Sequence, residues 1–237
     1  MGRRGVRWLV IAVVVLLAVL IGADRIGVVV AEGVAADTLQ SSQHLPSSPD
    51  VDIDGFPFLT QLATGHYDQI TVTATDVPVG RGQQLTISRL RVVLHDLTVS
   101  RSFSRFAARS ATATALIDYG VLGKRLGVEL NYAGDGQVEG TKTVSLAGHT
   151  LKLHIAATPH LVAGKLGFTG ISVAGAGGLT GTVVDALARE FHLPIPLDGI
   201  PFDVQLQGLS VGPDGVVITL AGSDLVYVKG VSGRAPS

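Results

Sequence analysis

The chain contains no cysteine. That excludes disulfide staples, thiol nucleophiles and thiolate metal ligands, as well as acylation of a cysteine behind a signal segment. A domain of this kind has to be held by its core. Aromatic residues make up only 5% and charged residues 16% of the sequence, and the formal net charge is -1. There is no basic excess to favour nucleic acid, whose affinity comes mainly from neutralised phosphates, so no nucleic-acid partner is expected. With a mean hydropathy of +0.43 the composition also excludes a largely disordered chain. Its 237 residues leave ample length for a sizeable core, in one large domain or two small ones.

Catalytic signatures are missing too. Gly170-Ile-Ser-Val-Ala174 surrounds Ser172 without the second glycine of a nucleophile elbow. The glycine-rich run Gly175–Gly181 has neither a Gly-Lys-Ser/Thr ending nor the dinucleotide spacing. It reads as a flexible turn or as backbone N–H groups open to a phosphate at a helix start. His149, His154 and His160 have no acidic partner at ligand spacing, and the first two have opposite parity on one strand. They read as exposed or hydrogen-bonded strand histidines. Asp50, Asp52 and Asp54 share one strand face, where a solvated edge is a simpler reading than a hard-cation site. The expectation is a protein that is not an enzyme and has no cofactor or metal.

What is present begins at the N-terminus. Arg3, Arg4 and Arg7 precede an apolar stretch from Trp8 to Ala23, closed by Asp24 and Arg25. A basic region before an apolar segment is the pattern of export, and the arginines stay on the cytoplasmic side. Residues 1–23 are expected to be a signal peptide or a signal anchor. Ile21-Gly22-Ala23 is an imperfect cleavage site, and the stretch falls slightly short of the ~20 residues that span a bilayer. Both forms therefore stay open, membrane-anchored or secreted, on the periplasmic side of the plasma membrane. Residues 24–230 are expected to form a single domain, followed by a flexible tail at 231–237.

From Asp24 to Gln43 the residues predict a helix. Its apolar side chains (Ile26, Val28, Val29, Val30, Val34, Leu39) spread around the cylinder, which predicts burial on most sides. After Pro49 the period becomes two. Ile70-Val72-Ala74, Ala111-Ala113-Ala115-Ile117, Leu151-Leu153-Ile155, Val204-Leu206 and Val216-Ile218-Leu220 each alternate with mainly polar neighbours. Such alternation marks antiparallel strands with one face buried. Ala133–Gly136 and Gly212–Gly215 supply turns. Between Leu85 and Val99 the apolar parity switches twice, which predicts bends near Arg89 and Asp96, or two strands with a break. A second helix is expected over Val183–Phe191, started by Thr182 and Asp185. Asp54–Phe58 and Asp198–Phe202 echo each other, either as pseudo-repeated entries into a sheet or as convergent turn chemistry.

Val51-Asp-Ile-Asp-Gly-Phe-Pro-Phe-Leu-Thr-Gln-Leu62 and Gly65-His-Tyr-Asp-Gln-Ile70, with Ala113–Tyr119 and Leu193-Pro-Ile-Pro196, carry a resemblance that extends over nearly everything after the signal. They resemble the LmeA-like phospholipid-binding family of actinobacterial cell-envelope proteins. The resemblance implies extracytoplasmic binding of phospholipid, with phosphatidylinositol-type lipids among the candidates. It also implies support of lipomannan-type mannolipid synthesis beside an envelope glycosyltransferase. In shape it implies an α+β fold, a curved, mainly antiparallel sheet wrapped around a long N-terminal helix, as in tubular (BPI-like) lipid-binding proteins. It carries no individual site residue across.

The candidate apolar lining is Phe56, Phe58, Leu59, Leu62 and Phe202, with the rings of Phe56 and Phe58 expected on one strand face, lining the interior or packing in the core. Arg101, Arg105 and Arg109, at i, i+4 and i+8, are candidates for headgroup or membrane contact. On a helical turn they would share a face opposite Phe103 and Phe106; a solvated connection between strands is the plainer alternative. Against the lipid-binding reading stands a non-enzymatic envelope scaffold with a closed core.

Overall fold

The computed structural model describes residues 3–79, 85–100, 105–146, 149–162, 165–174, 195–196 and 205–228. A long helix, α1 (Arg3–Gln43), leads into the short edge strand β1 (Asp50–Asp54) and a two-turn helix, α2 (Phe58–Thr64). Three long strands follow, β2 (His66–Val79), β3 (Leu85–Val99) and β4 (Arg105–Ile117), then α3 (Tyr119–Leu126). The remaining strands are β5 (Glu129–Gly134), β6 (Gln137–Leu146), β7 (His149–Val162), β8 (Lys165–Ala174), β9 (Ile195–Pro196), β10 (Gln205–Gly212) and β11 (Gly215–Val228). They form two antiparallel sheets, β1-β2-β3-β4-β11-β10 and β5-β6-β7-β8-β9. The α+β class and the antiparallel strands are as the alternation predicts. The helix expected at Val183–Phe191, the glycine run at 175–181 and the second copy of the Asp-Gly-x-Pro-Phe echo lie outside the described residues.

The parity switches have a physical cause. Asp76, Asp96 and Asp224 sit in the left-handed region, with φ of 53°, 50° and 52°. Aspartate tolerates that region better than most residues because its short side chain bonds locally. The register is unbroken across each site: Tyr67↔Leu97 and Gln69↔His95 flank Asp68 and Asp96, and Ser223↔Ser110 and Leu225↔Ala108 flank Asp224 and Arg109. Neighbouring strands therefore turn over together. Asp68, Asp96, Arg109 and Asp224 form one cross-sheet row where the buried side chains change parity, from Leu94 to Leu97 and from Ala111 to Ala108. Asp76, opposite Ser88, marks the second change. The bends read near Arg89 and Asp96 are both present, within a single strand.

These turnovers let one sheet serve two cores. The larger cluster lies between the sheets and α3. It joins Leu85, Ile87, Ala113, Ala115, Ile117, Val216, Ile218 and Leu220 of the first sheet to Val138, Ile155, Ala157, Leu166 and Phe168 of the second, with Tyr119 and Leu122 from α3. The smaller joins Val28 of α1 and Phe58 of α2 to Tyr67, Leu97 and Ala108 beyond the Asp96 row.

α3, which periodicity did not reveal, is set by its ends. The Asp118 carboxylate accepts from the Val121 N–H (2.8 Å) and from the Ser88 hydroxyl (2.8 Å). Gly127 closes the helix at φ 66°. The Val121 and Ser88 hydrogen bonds outweigh burial and hold the Asp118 carboxyl below the usual carboxylate range. Its contribution to stability is thus fully present above the unfolded value, about 3.9, and is lost as pH falls through the lowered folded value. Asp118→Ala is expected to cost about 1 kcal/mol at neutral pH. In urea titrations that deficit should shrink as pH falls below ~3.9, and a deficit independent of pH would contradict the capping role.

Candidate lipid-contact site

α1 touches the sheet along one narrow seam. Asp24, Val28 and Ala36 are buried, at steps of four and eight, with Glu32 half-buried between them. The expectation that this helix is buried on most sides is corrected: Ile26, Val29, Val30 and Val34 are exposed. The acidic residues explain the seam. Glu32 accepts the Ile53 N–H of edge strand β1 at 2.9 Å. Asp24 accepts the Leu59 N–H at 2.8 Å. α2 has no side-chain cap of its own, since Pro57 occupies its N-cap. Asp24, from a different helix, therefore meets its free N–H groups and the positive end of its dipole. Charges that would be costly in hydrocarbon serve here as docking groups.

α2 continues from that anchor. Gln61, buried, donates to the Asp54 carbonyl (3.2 Å) and accepts from the Asp68 N–H (2.9 Å), tying α2 to β1 and β2. Gly65 (φ 71°) ends it, and the Gly65 carbonyl accepts from Val99 N–H at 2.7 Å. With Phe58 and Gln61 turned inward, Leu59 and Leu62 face outward.

The expected aromatic pair is thereby separated. Phe58 opens α2 and is 1% exposed, whereas Phe56 lies in the bend before it and is 61% exposed. They do not share a strand face, because the strand ends at Asp54. The Arg25 guanidinium lies 5.3 Å from the Phe56 ring centroid and bonds Asp24 at 2.6 Å. Leu59 and Leu62 are 41% and 49% exposed. Phe56, Leu59 and Leu62 are thus exposed at the α1–α2 corner, where Leu59 lies over Gly27 of α1 and Phe56 lies under Arg25. Phe202 lies outside the described residues.

The arginines are distributed differently from the helical reading. Arg105 and Arg109 are exposed on strand β4, and Arg109 pairs with Asp96 at 3.3 Å. A strand forms because Ala107, Ala108, Ala111 and Ala113 continue the ladder to β3 and β11. Arg101 and Phe103 lie outside the described residues. Arg105 begins β4 next to Val99 and Phe106, at the end of the sheet that also holds α2.

A second apolar feature was not singled out as a site from the sequence. Between the two turnover rows, the first sheet carries aliphatic side chains in register: Val51, Val72, Val92, Ala113, Leu220 and Leu206 in one row. Ile70, Val72, Leu90, Val92 and Leu94 are only half-buried, and they run between the margins of the two clusters. The signal was legible as aliphatic residues at one parity bounded by two switches. Two open depressions accompany the sheets. One of about 540 Å³ lies between α3, β5 and β6, lined by Tyr119, Lys124, Val128, Leu130 and Lys142 among others. One of about 320 Å³ is lined by Arg89, Arg91, Leu116 and the Gly212–Gly215 turn. Neither is an enclosed apolar cavity.

The remaining polar candidates are not gathered into a site. His154 meets Glu139 at 3.3 Å on the surface, and His160 packs over Gly167 with its buried Nδ1 left without a hydrogen-bond partner. Asp50, Asp52 and Asp54 are exposed on β1, with Asp54 accepting from Gln69 at 2.7 Å. Ser172 is exposed on β8. Among the described residues no group of three His, Asp or Glu side chains is placed to hold a metal ion.

No curated protein and no solved structure matches the chain. The family model described as LmeA-like phospholipid-binding matches residues 22–221, which takes in the docked half of α1, strands β1 to β10 and the first half of β11. The chain belongs to the LmeA-like phospholipid-binding family.

Proposed function

We propose that this protein is an exported phospholipid-binding protein that holds or presents lipid against the aliphatic strip of its first sheet, in support of cell-envelope mannolipid (lipomannan-type) synthesis. The observation that carries the reading is the family membership over residues 22–221, joined to half-buried aliphatic side chains from Ile70 to Leu94. Acyl chains laid on that strip gain about 0.8 kcal/mol per buried methylene. No covalent step is required, and nothing in the chemistry of the exposed serines and histidines calls for one. Arg105 provides a cation for an anionic headgroup, with phosphatidylinositol-type lipids as candidates and an envelope glycosyltransferase as the receiving partner.

Export is supported by the basic residues before Trp8 and by the exposed apolar run of α1. α1 runs without a break through Ile21-Gly22-Ala23, in keeping with a retained anchor, and in this reading the lipid-binding domain, residues 24–230, stands on the periplasmic side of the plasma membrane. Mass spectrometry of lipids extracted from the natively purified chain tests the function: phospholipid at a fixed ratio to protein is expected. Recovery of no phospholipid above that in an unrelated anchored protein would favour a scaffold instead.

A further inference from the structure

The apolar corner where α2 meets α1 exposes Phe56, Leu59 and Leu62 to solvent. From Gly55 to Gly65 the chain has no charged residue. Beside this stretch, on the outward side of α1, lie Ile26, Val29, Val30 and Val34, all exposed. Scattered exposed apolar residues are normal, but a contiguous patch of large ones marks a contact surface.

What covers it follows from the helix that carries it. α1 is a single helix from Arg3 to Gln43, so the orientation of its apolar N-terminal part fixes that of the corner. Trp8 to Ala23 rises only about 24 Å at 1.5 Å per residue, against a hydrocarbon core of ~30 Å. The missing ~6 Å falls within the depth to which interfacial helices sink, ~5–10 Å. Ile26, Val29 and Val30 are the next turn of α1, and Leu59 packs over Gly27 on that same turn. The groups that would oppose immersion are neutralised locally. Asp24 is turned inward onto the α2 N-terminus, and Arg25 pairs with it while lying over Phe56. An arginine on an aromatic ring at the edge of an apolar patch suits the headgroup layer.

We infer that α2 and the Ile26–Val30 turn of α1 form a foot that seats in the headgroup–acyl boundary of the bilayer beside the anchor. The foot fixes how the sheets stand on the membrane and brings the arginine at the start of β4 to the same end of the molecule as the lipid surface. It does not depend on phospholipid being held on the aliphatic strip.

The absence of cysteine makes a single-label test clean. The full chain carrying Leu62→Cys, labelled with an environment-sensitive fluorophore, is reconstituted into vesicles of phosphatidylcholine and phosphatidylglycerol. Val30→Cys repeats the measurement on α1, and Gln137→Cys, exposed on the second sheet, is the reference. Blue-shifted emission at positions 62 and 30, quenched by lipids spin-labelled high on the acyl chain, is expected, with water-like unquenched emission at 137. Water-like emission at 62 and 30 overturns the foot. So does blue-shifted but unquenched emission, which disulfide cross-linking between copies of the unlabelled Leu62→Cys chain would assign to a second chain. Phospholipid extracted from the natively purified chain before reconstitution separates the two readings: a seated foot without co-purified lipid defeats the function proposed above and leaves the foot standing, and the converse holds equally.

Discussion

Phe58→Ala is expected to destabilise the fold by about 3–5 kcal/mol, the cost of truncating a fully buried phenylalanine. At 1% exposure its ring is the centre of the cluster that joins α1, α2 and the far end of the first sheet. Two neighbours make the loss hard to repair. Gly27 on α1 offers no side chain to fill the space, and its position lies against the Phe58 ring. Tyr67, Leu97 and Ala108 are held by ladder bonds on strands that turn over nearby, so they cannot collapse inward freely. Phe56→Ala, two residues away and 61% exposed, should change stability by less than about 0.5 kcal/mol. Urea unfolding of the two variants checks the contrast. Equal midpoints would mean that Phe58 is not a core residue and that α2 is not fixed as described. The cluster is also what docks α2, so lipid or membrane effects of Phe58→Ala should accompany the stability loss and not precede it.

Val92→Glu is expected to remove bound phospholipid while leaving the fold intact. Val92 is half-buried, flanked by Val72 and Ala113 in the cross-strand row. Val92 packs on the margin of the larger cluster and is still half-exposed, so in the lipid-free protein a glutamate there can extend its carboxylate to water. With an acyl chain laid over the strip, the same carboxylate must be desolvated without a partner, at a cost of several kcal/mol. Even about 2.8 kcal/mol of that cost is a hundredfold loss of affinity. The measurement is phospholipid per protein after native purification, read beside a thermal melt. An unchanged ratio with an unchanged melt would remove the strip as the lipid site. Val92→Ile, which keeps the surface apolar, should retain lipid.

Some of this was open to reading from the residues. Alternation with period two gave β2, β4, β7 and β11, because a strand with one buried face must alternate. The double parity switch in β3 gave two bends, since no straight strand can bury odd positions such as Leu85 and Ile87 and then even ones such as Leu90 and Leu94 on one face. α3 was missed although its signals are present: Asp118 three residues before Val121, Lys124 and Arg125 in the last turn, and Gly127 behind it. Eight residues are too few for periodicity to show. The Arg105–Arg109 spacing fits one helix face, with a connection between strands as the plainer alternative; neither holds, because the alanines around it pair with two strands and carry both arginines on β4.

The amino-acid order alone determined the antiparallel strands, the apolar N-terminal helix and, through the Gly-Phe-Pro-Phe-Leu stretch, the family. These rest on local periodicity, hydropathy and short motifs, which each segment carries within itself. Only the tertiary structure decided which side of α1 is covered and which of Phe56 and Phe58 is buried. Both depend on groups distant in sequence. Asp24 caps a helix that begins at Phe58, and Glu32 bonds the backbone of Ile53. Hydropathy averages a helix around its axis, so it cannot say that two carboxylates will choose the seam. The seam, once chosen, leaves the valines, Leu59, Leu62 and Phe56 facing outward.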